Sequence, residues 1–190
     1  RLSQLTVVAQ GGTYNIGIHN SSAAPKASNV TVTVTGGTHA YAIYNISSSS
    51  PVMVNVLMNV TAASYYNRGV YNDSSSPTLT NVTVEAGGGT DSRGVYNLNS
   101  SSSIYSSVIK ATSGSNTYGV YNFATSAGSN ILINNSQVSG ATNTIYNGTN
   151  CVTRVGASQL SGGPVSDAGG TVTCAGVYDE TYAFYPSTCP

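Results

Sequence analysis

Charge is what this 190-residue sequence has least of. Six Lys and Arg stand against six Asp and Glu, together 6 % of the chain, where an ordinary globular protein has about 25 %. With a formal net charge of zero there is no field to steer a polyanion and no basic stripe for phosphates, so a nucleic-acid partner is not expected. No apolar stretch approaches the roughly 20 residues that span a bilayer, which argues against membrane insertion. Residues Arg1 to Gln10 lack the charged and apolar regions of a signal peptide, so an exported chain would already have lost its signal. Trp is absent, Phe occurs twice, and the only histidines are His19 and His39. Of three cysteines, Cys174 and Cys189 are close enough in the C-terminal tail to close a short loop as a disulfide, which implies an extracellular or cell-surface location. Cys151 is read as a buried, idle thiol, because no His follows it to serve as a base.

What the sequence does have is a period. Aligning GVYN-like segments places His19-Asn20, Tyr44-Asn45, Tyr71-Asn72, Tyr96-Asn97, Tyr121-Asn122 and Tyr146-Asn147 at steps of 25, 27, 25, 25 and 25 residues. A second phrase keeps the same beat: QLTVVAQGG, NVTVTVTGG, NVLMNVTAA, NVTVEAGGG, SSVIKATSG, NSQVSGATN and ASQLSGGPV. Within each unit, short β-branched runs alternate apolar with polar and are separated by Gly, Ser, Asn and Pro, which is the pattern of strands. A unit of about 25 residues cannot bury its own apolar face and must stack on copies of itself, so the expected fold is an all-β solenoid.

The parity of the strands refines this. Val7, Val32, Met58, Val84, Ile109, Val138 and Leu160 form an almost wholly aliphatic inward column, with Leu5, Val30, Val56, Val82, Ser107, Ser136 and Ser158 two places earlier. Just before stands Asn29, Asn55, Asn81, Ser106, Asn135, where the in/out alternation slips by one, as a corner requires. Asn tolerates left-handed backbone angles and its amide bonds to copies above and below, so Asn29, Asn55, Asn81 and Asn135 form one expected structural ladder. Asn45, Asn72, Asn97, Asn122 and Asn147 form the second.

Units such as GVYNDSSSPTLTNVTVEAGGGTDSRGVYN, and the ending GTVTCAGVYDETYAFYPSTCP, resemble the right-handed parallel β-helix repeat proteins of the pectate-lyase-like superfamily. Nearest in pattern is a bacterial group of such repeats, which supplies a fold and no assigned function. The resemblance covers nearly the whole chain and implies a right-handed parallel β-helix with a C-terminal cap. Residues 1–163 are read as six to seven coils, the first incomplete, and 164–190 as a last coil and an aromatic, disulfide-closed cap.

Sugar-cleaving β-helices cluster carboxylates on one outer face. Here a one-coil shift sets Glu85 beside Lys110, and Arg68 beside Arg93 with Asp91 near, which reads as salt bridging; no two carboxylates share a column. No catalytic residue, metal or cofactor is therefore expected. Tyr44, Tyr71, Tyr96, Tyr121 and Tyr146 form an outward column with rings expected about 4.8 Å apart, either an aromatic ladder or a contact platform for sugars or a neighbouring protein. Sequons at Asn20, Asn29, Asn45, Asn59, Asn72, Asn81, Asn99, Asn134 and Asn147 follow from the repeat itself, and a ladder Asn is expected to be buried. The runs Ser47 to Ser50, Ser74 to Ser76 and Ser100 to Ser103 are read as exposed. An ice-binding array fails because the columns Thr6, Thr31, Leu57, Thr83, Val108 and Val8, Thr33, Asn59, Glu85, Lys110 are broken.

The expected role is a non-catalytic extracellular scaffold: a fibre subunit associating head-to-tail or laterally, or a surface adhesin touching glycans. The alternative is a polysaccharide-binding or polysaccharide-cleaving module of tailspike type, on fold analogy.

Overall fold

The computed structural model describes residues 1–125 and 128–190. It is a parallel β-solenoid of about 6 turns with coils of roughly 25 residues. One wall is a seven-stranded sheet of β2 (Tyr14–Ser21), β4 (His39–Ile46), β6 (Tyr66–Asp73), β9 (Asp91–Leu98), β12 (Asn116–Phe123), β15 (Asn143–Asn147) and β18 (Val165–Ser166). The other is fourteen-stranded and bent. It begins with β1 (Leu2–Gln10), β3 (Lys26–Thr35) and β5 (Val52–Thr61). Each later coil contributes two strands: β7 (Thr78–Thr80) and β8 (Thr83–Gly87), β10 (Ser101–Tyr105) and β11 (Val108–Ser113), β13 (Ser129–Asn134) and β14 (Gln137–Gly140), β16 (Cys151–Gly156) and β17 (Gln159–Gly162), β19 (Thr171–Ala175) and β20 (Val177–Tyr178). These strands pair parallel, and β21 (Phe184–Tyr185) closes antiparallel on β20.

The register places like on like. Val30 pairs with Val56, and Val32 with Met58; Met58 pairs with Val84, Val84 with Ile109 and Ile109 with Val138. The facing wall stacks Ile43 on Val70 and Val70 on Val95. Together these columns form one aliphatic core, closed at the C-terminal end by Leu160, Cys174 and Val177. Each fully buried Val, Leu or Ile contributes about 1.5–3 kcal/mol relative to exposure.

The corner of the bent sheet falls on Gln4, Asn29, Asn55, Asn81, Ser106, Asn135, Ala157 and Gly176, every one with φ between 45° and 62°. A left-handed residue between two extended ones swings the chain and shifts the parity by one, so Leu79 and Val82 both reach the core. It also turns its own side chain outward. Asn29, Asn55, Asn81 and Asn135 are exposed, which corrects the expectation that ladder asparagines are buried. The amides still link along the edge, Asn55 Nδ2 to Asn29 Oδ1 at 3.0 Å and Asn81 Nδ2 to Asn55 Oδ1 at 2.7 Å.

The Ser runs are only partly exposed, since Ser49, Ser75, Ser100 and Ser102 are buried. Ser49 Oγ accepts from Ala23 N at 3.3 Å and Ser100 Oγ from Ser75 N at 3.0 Å, each one coil away, while Ser75 Oγ donates to the Asp73 carbonyl. Where the inward column changes from Val82 to Ser107, Ser136 and Ser158, the same device operates. Ser107 Oγ accepts from Val82 N and donates to the Tyr105 carbonyl, so no buried hydroxyl lacks a partner there.

In GVYN the Gly answers a packing demand. A Cβ on Gly17, Gly69, Gly94 or Gly119 would lie 2.3, 2.0, 2.5 and 2.6 Å from Val32, Val84, Ile109 and Val138 respectively. All four opposing residues are β-branched. The same column carries Ala42 and Thr144 in the coils whose opposing residues are the unbranched Met58 and the γ-branched Leu160. Small sits against branched, and a larger residue sits where the opposing Cβ is slim.

Gly69→Ala is expected to cost about 1–3 kcal/mol by overpacking, and adding Val84→Met is expected to recover the part due to Val84 Cγ1 but not the part due to the Gly94 carbonyl, which the new Cβ would meet at 2.6 Å. Urea unfolding of the two single variants and the double variant measures the coupling; additive losses would show that the two positions do not share one space.

Candidate functional site

The outer face of the seven-stranded sheet carries a dense cluster of tyrosines, arginines and histidines. Because the Gly position and the following Val both turn toward the core, the residue before the Gly and the Tyr three places later both point out. Two adjacent columns result. One reads Ile16, Tyr41, Arg68, Arg93, Tyr118 and Asn143; the other reads His19, Tyr44, Tyr71, Tyr96, Tyr121 and Tyr146. A third, nearer the strand starts, reads Tyr14, His39, Tyr66, Asp91 and Asn116.

The tyrosine column stacks less uniformly than its spacing suggests. Tyr44 and Tyr71 are parallel with centroids 4.7 Å apart, as are Tyr121 and Tyr146 at 4.5 Å. Between them, Tyr71–Tyr96 is tilted by 56° at 5.2 Å and Tyr96–Tyr121 by 69° at 5.4 Å. The arginines are the cause. Arg68 Cζ lies 4.5 Å from the Tyr96 centroid and 4.2 Å from that of Tyr66, and Arg93 Cζ lies 3.8 Å from Tyr121 and 4.5 Å from Tyr96. Each guanidinium takes a ring face that a neighbouring tyrosine would otherwise cover, which is a cation–π arrangement.

The two arginines differ in their charge partners. Arg93 Nη2 donates to Asp91 Oδ2 at 2.6 Å. Arg68 is 7 % exposed and has no carboxylate within ion-pair distance among the described residues, and its Nε has no hydrogen-bond partner. Burial, and secondarily the Arg68 charge, lower the His39 pKa. Burial among rings raises Tyr71, with Asp73 and the adjacent tyrosines adding to it. Tyr121 is pushed up to about 12 by burial, against the opposing pull of Arg93.

The second Asn column runs beneath this face and is buried. Asn20 Nδ2 donates to Asn45 Oδ1 at 2.8 Å, Asn45 to Asn72 at 2.7 Å and Asn72 to Asn97 at 2.7 Å. The chain of amides then breaks. Ser129 Oγ donates to Asn122 Oδ1 at 2.6 Å, leaving Asn97 Nδ2 without an acceptor, and the ladder resumes from Asn122 to Asn147 at 3.0 Å.

Of the charged residues, Glu85 has Asn59 and Lys110 as register neighbours, and Asp91 has Tyr66 and Asn116. Glu85 and Lys110 approach to 3.9 Å, both largely solvated, a contact worth little. Among the described residues no three His, Cys, Asp or Glu come together as a metal site. Cys151 is buried, which raises its pKa, and the thiol lies 3.5 Å from the Thr149 carbonyl. Cys174 and Cys189 are bonded. The tail departs from the expected aromatic cap: Tyr178, Tyr182 and Phe184 are exposed, and Tyr185 and Cys189 pack on the core instead. The sequons divide likewise, Asn45, Asn72 and Asn147 being fully buried while Asn59 and Asn134 are exposed on outward strand positions.

Sequence reasoning identified the tyrosine column but missed Tyr41, Tyr66 and Tyr118 and read the arginines as ion-pair members only. The residue preceding the Gly or Ala of each repeat was the available signal for Tyr41, Tyr118 and the arginines, and the start of the same strand was the signal for Tyr66. No family model matches the chain, and no curated protein matches it.

Two measurements follow. Asn72→Ala, which strands a buried amide, is expected to lose about 2–4 kcal/mol, whereas Asn81→Gly at the exposed left-handed corner is expected to stay within about 1 kcal/mol of the parent; urea unfolding compares them. Because the folded pKa of Tyr121 lies above its ordinary value of 10.0, the stability this tyrosine contributes is complete below that value and is lost as pH rises toward about 12. The urea midpoint should therefore fall across that interval, and by less in Tyr121→Phe.

Proposed function

We propose that this chain is a non-catalytic extracellular scaffold, a β-helix that works by surface contact as an adhesin or fibre subunit. The observation that carries this reading is the continuous outward tyrosine column with Arg68 and Arg93 set into it. Tyr and Arg are the side chains most enriched where surfaces recognise one another, because each offers a large stiff area with a polar tip. Parallel stacking turns several ring faces toward neighbouring rings, so the column offers edges and hydroxyls more than open π-faces, and the contact it suits is broad and flat. The Cys174–Cys189 bond supports an oxidising location outside the cell. The β-helix resemblance supports a bacterial repeat protein of the pectate-lyase-like superfamily.

Head-to-tail association is favoured by the distribution of charge along the axis. Residues 1–50 contain Arg1 and Lys26 and no acid, whereas residues 128–190 contain Arg154 against Asp167, Asp179 and Glu180. Opposite signs at the two ends would steer copies into line at low salt.

The test is retention of the full chain on whole cells and on polysaccharide- or protein-coated surfaces, with the supernatant assayed for new reducing ends. Retention weakened about tenfold, equivalent to about 1.4 kcal/mol, in Arg68→Gln and in Tyr146→Ser, with no new reducing ends, supports the adhesin. Retention that rises with loading and collapses in high salt, alongside concentration-dependent sedimentation, supports the fibre. Reducing ends that disappear in Glu85→Gln or Asp91→Asn replace both readings with a polysaccharide-cleaving enzyme.

A further inference from the structure

A groove at the C-terminal corner of the bent sheet stands apart from the tyrosine face. Its lining includes Gln137 and Gln159, register neighbours on β14 and β17, together with Asn135 and the two exposed tyrosines Tyr178 and Tyr182. No Asp, Glu, Lys, Arg or His lines it.

Tyr182 is 77 % exposed and has φ at +63°, a conformation in which a bulky side chain is a genuine outlier. The loop that imposes this is overdetermined. The Asp179 carboxylate accepts from Thr181 N at 2.8 Å, Thr181 Oγ1 at 2.7 Å, Ala183 N at 3.0 Å and Tyr185 Oη at 3.0 Å, and Tyr182 N itself donates to the Asp179 carbonyl at 3.1 Å. Left-handed residues elsewhere in the chain serve its corners and turns; Tyr182 differs in being a bulky aromatic that gains no burial from the conformation, and strained backbone of that kind clusters at ligand clamps.

The chemistry of the lining identifies the ligand class. Tyr182 presents π-surface that, unlike that of the tyrosine column, is not covered by a stacked neighbour. Gln159 Nε2 is oriented by the Asp179 carbonyl at 3.3 Å, while the Gln137 side-chain amide makes no hydrogen bond within the chain among the described residues. An amide both donates and accepts, which suits hydroxyl groups, and a pyranose ring offers an apolar C–H face edged by hydroxyls. An acidic sugar would surrender hydration of its charge without meeting a cation.

We propose that this groove binds a neutral hexopyranose unit of a glycan, with Tyr182 stacked on its C–H face and Gln137 and Gln159 bonded to its hydroxyls. The assignment rests on the adhesive reading and gives it a ligand class.

Affinity electrophoresis of the full chain through gels containing dextran, mannan, galactan or, as the acidic comparison, polygalacturonate tests it. Retardation is expected in at least one neutral polysaccharide, weakened about tenfold in Tyr182→Ala, in line with loss of one aromatic contact. Tyr182→Gly separates a binding role from a structural one: it relieves the left-handed strain, so the unfolding temperature should hold or rise while retardation is lost. Retardation unchanged in both variants overturns the groove, as does retardation by polygalacturonate alone or by none of the four. In those cases the adhesive reading stands if surface retention still depends on Arg68 and Tyr146, and falls with the groove if it does not.

Discussion

Each coil is hydrogen-bonded in parallel and in register to the next, and that ladder dictates the rest of the molecule. Register forces each side chain onto its equivalent about 4.8 Å away, so the sequence admits residue types that tolerate a copy of themselves at that distance. Aliphatic side chains do so by dispersion, asparagine and serine by acting as donor and acceptor at once, and tyrosine by stacking. Charges do not: two like charges at this spacing repel by about 1 kcal/mol even in water, and more where burial lowers the dielectric. The scarcity of ionised residues follows from the geometry. The one place where Arg sits on Arg, Arg68 against Arg93, is neutralised on one side by Asp91 and spaced by tyrosine rings.

How much of this was legible follows from what a period can encode. The step of the repeat, the inward columns, the corner and the parallel architecture are consequences of one-dimensional regularity, so they could be read from aligned units. The direction of the corner asparagines could not, because the alternation rule that locates the corner ceases to apply at it: a left-handed residue turns its Cβ away from the side its neighbours would assign. The Gly of GVYN had a second explanation available, conformational freedom, and its φ is not in the left-handed region at Gly69, Gly94 or Gly119. Its constraint is steric, set across the core by Val84, Ile109 and Val138 and along the stack by the carbonyls of Gly94, Gly119 and Thr144. That relation becomes visible only when the exceptions Ala42 and Thr144 are matched to Met58 and Leu160, which needs the register of both walls.

The tyrosine face shows why a column can be identified while its chemistry is misjudged. Spacing predicts an even stack of rings; the arginines in the neighbouring column decide which faces remain. Those arginines are placed by the inward turn at Gly and Val, which brings residues three apart onto one surface and breaks the alternation on which outward columns were assigned. The tail divides in the same way. The disulfide and Tyr185 close that end as expected, whereas Tyr178, Tyr182 and Phe184 stand in solvent and cover nothing.

Regularity and recognition therefore compete in this fold. A perfect column spends its hydrogen bonds and its ring faces on its own copies, and what it presents outward is repetitive and chemically satisfied. Specific chemistry has room only where a column is interrupted. Arg68 without a carboxylate, Asn97 with an amide hydrogen left over where Ser129 intrudes, and Tyr182 held in a strained turn where the repeat has ended are all interruptions of this kind. Of the three, Asn97 is sealed inside and can only weaken the stack, Arg68 is nearly covered by the rings around it, and Tyr182 alone stands largely in solvent. The residues that distinguish this solenoid from a generic one are thus to be sought among the exceptions to its repeat, each weighed by whether solvent can reach it.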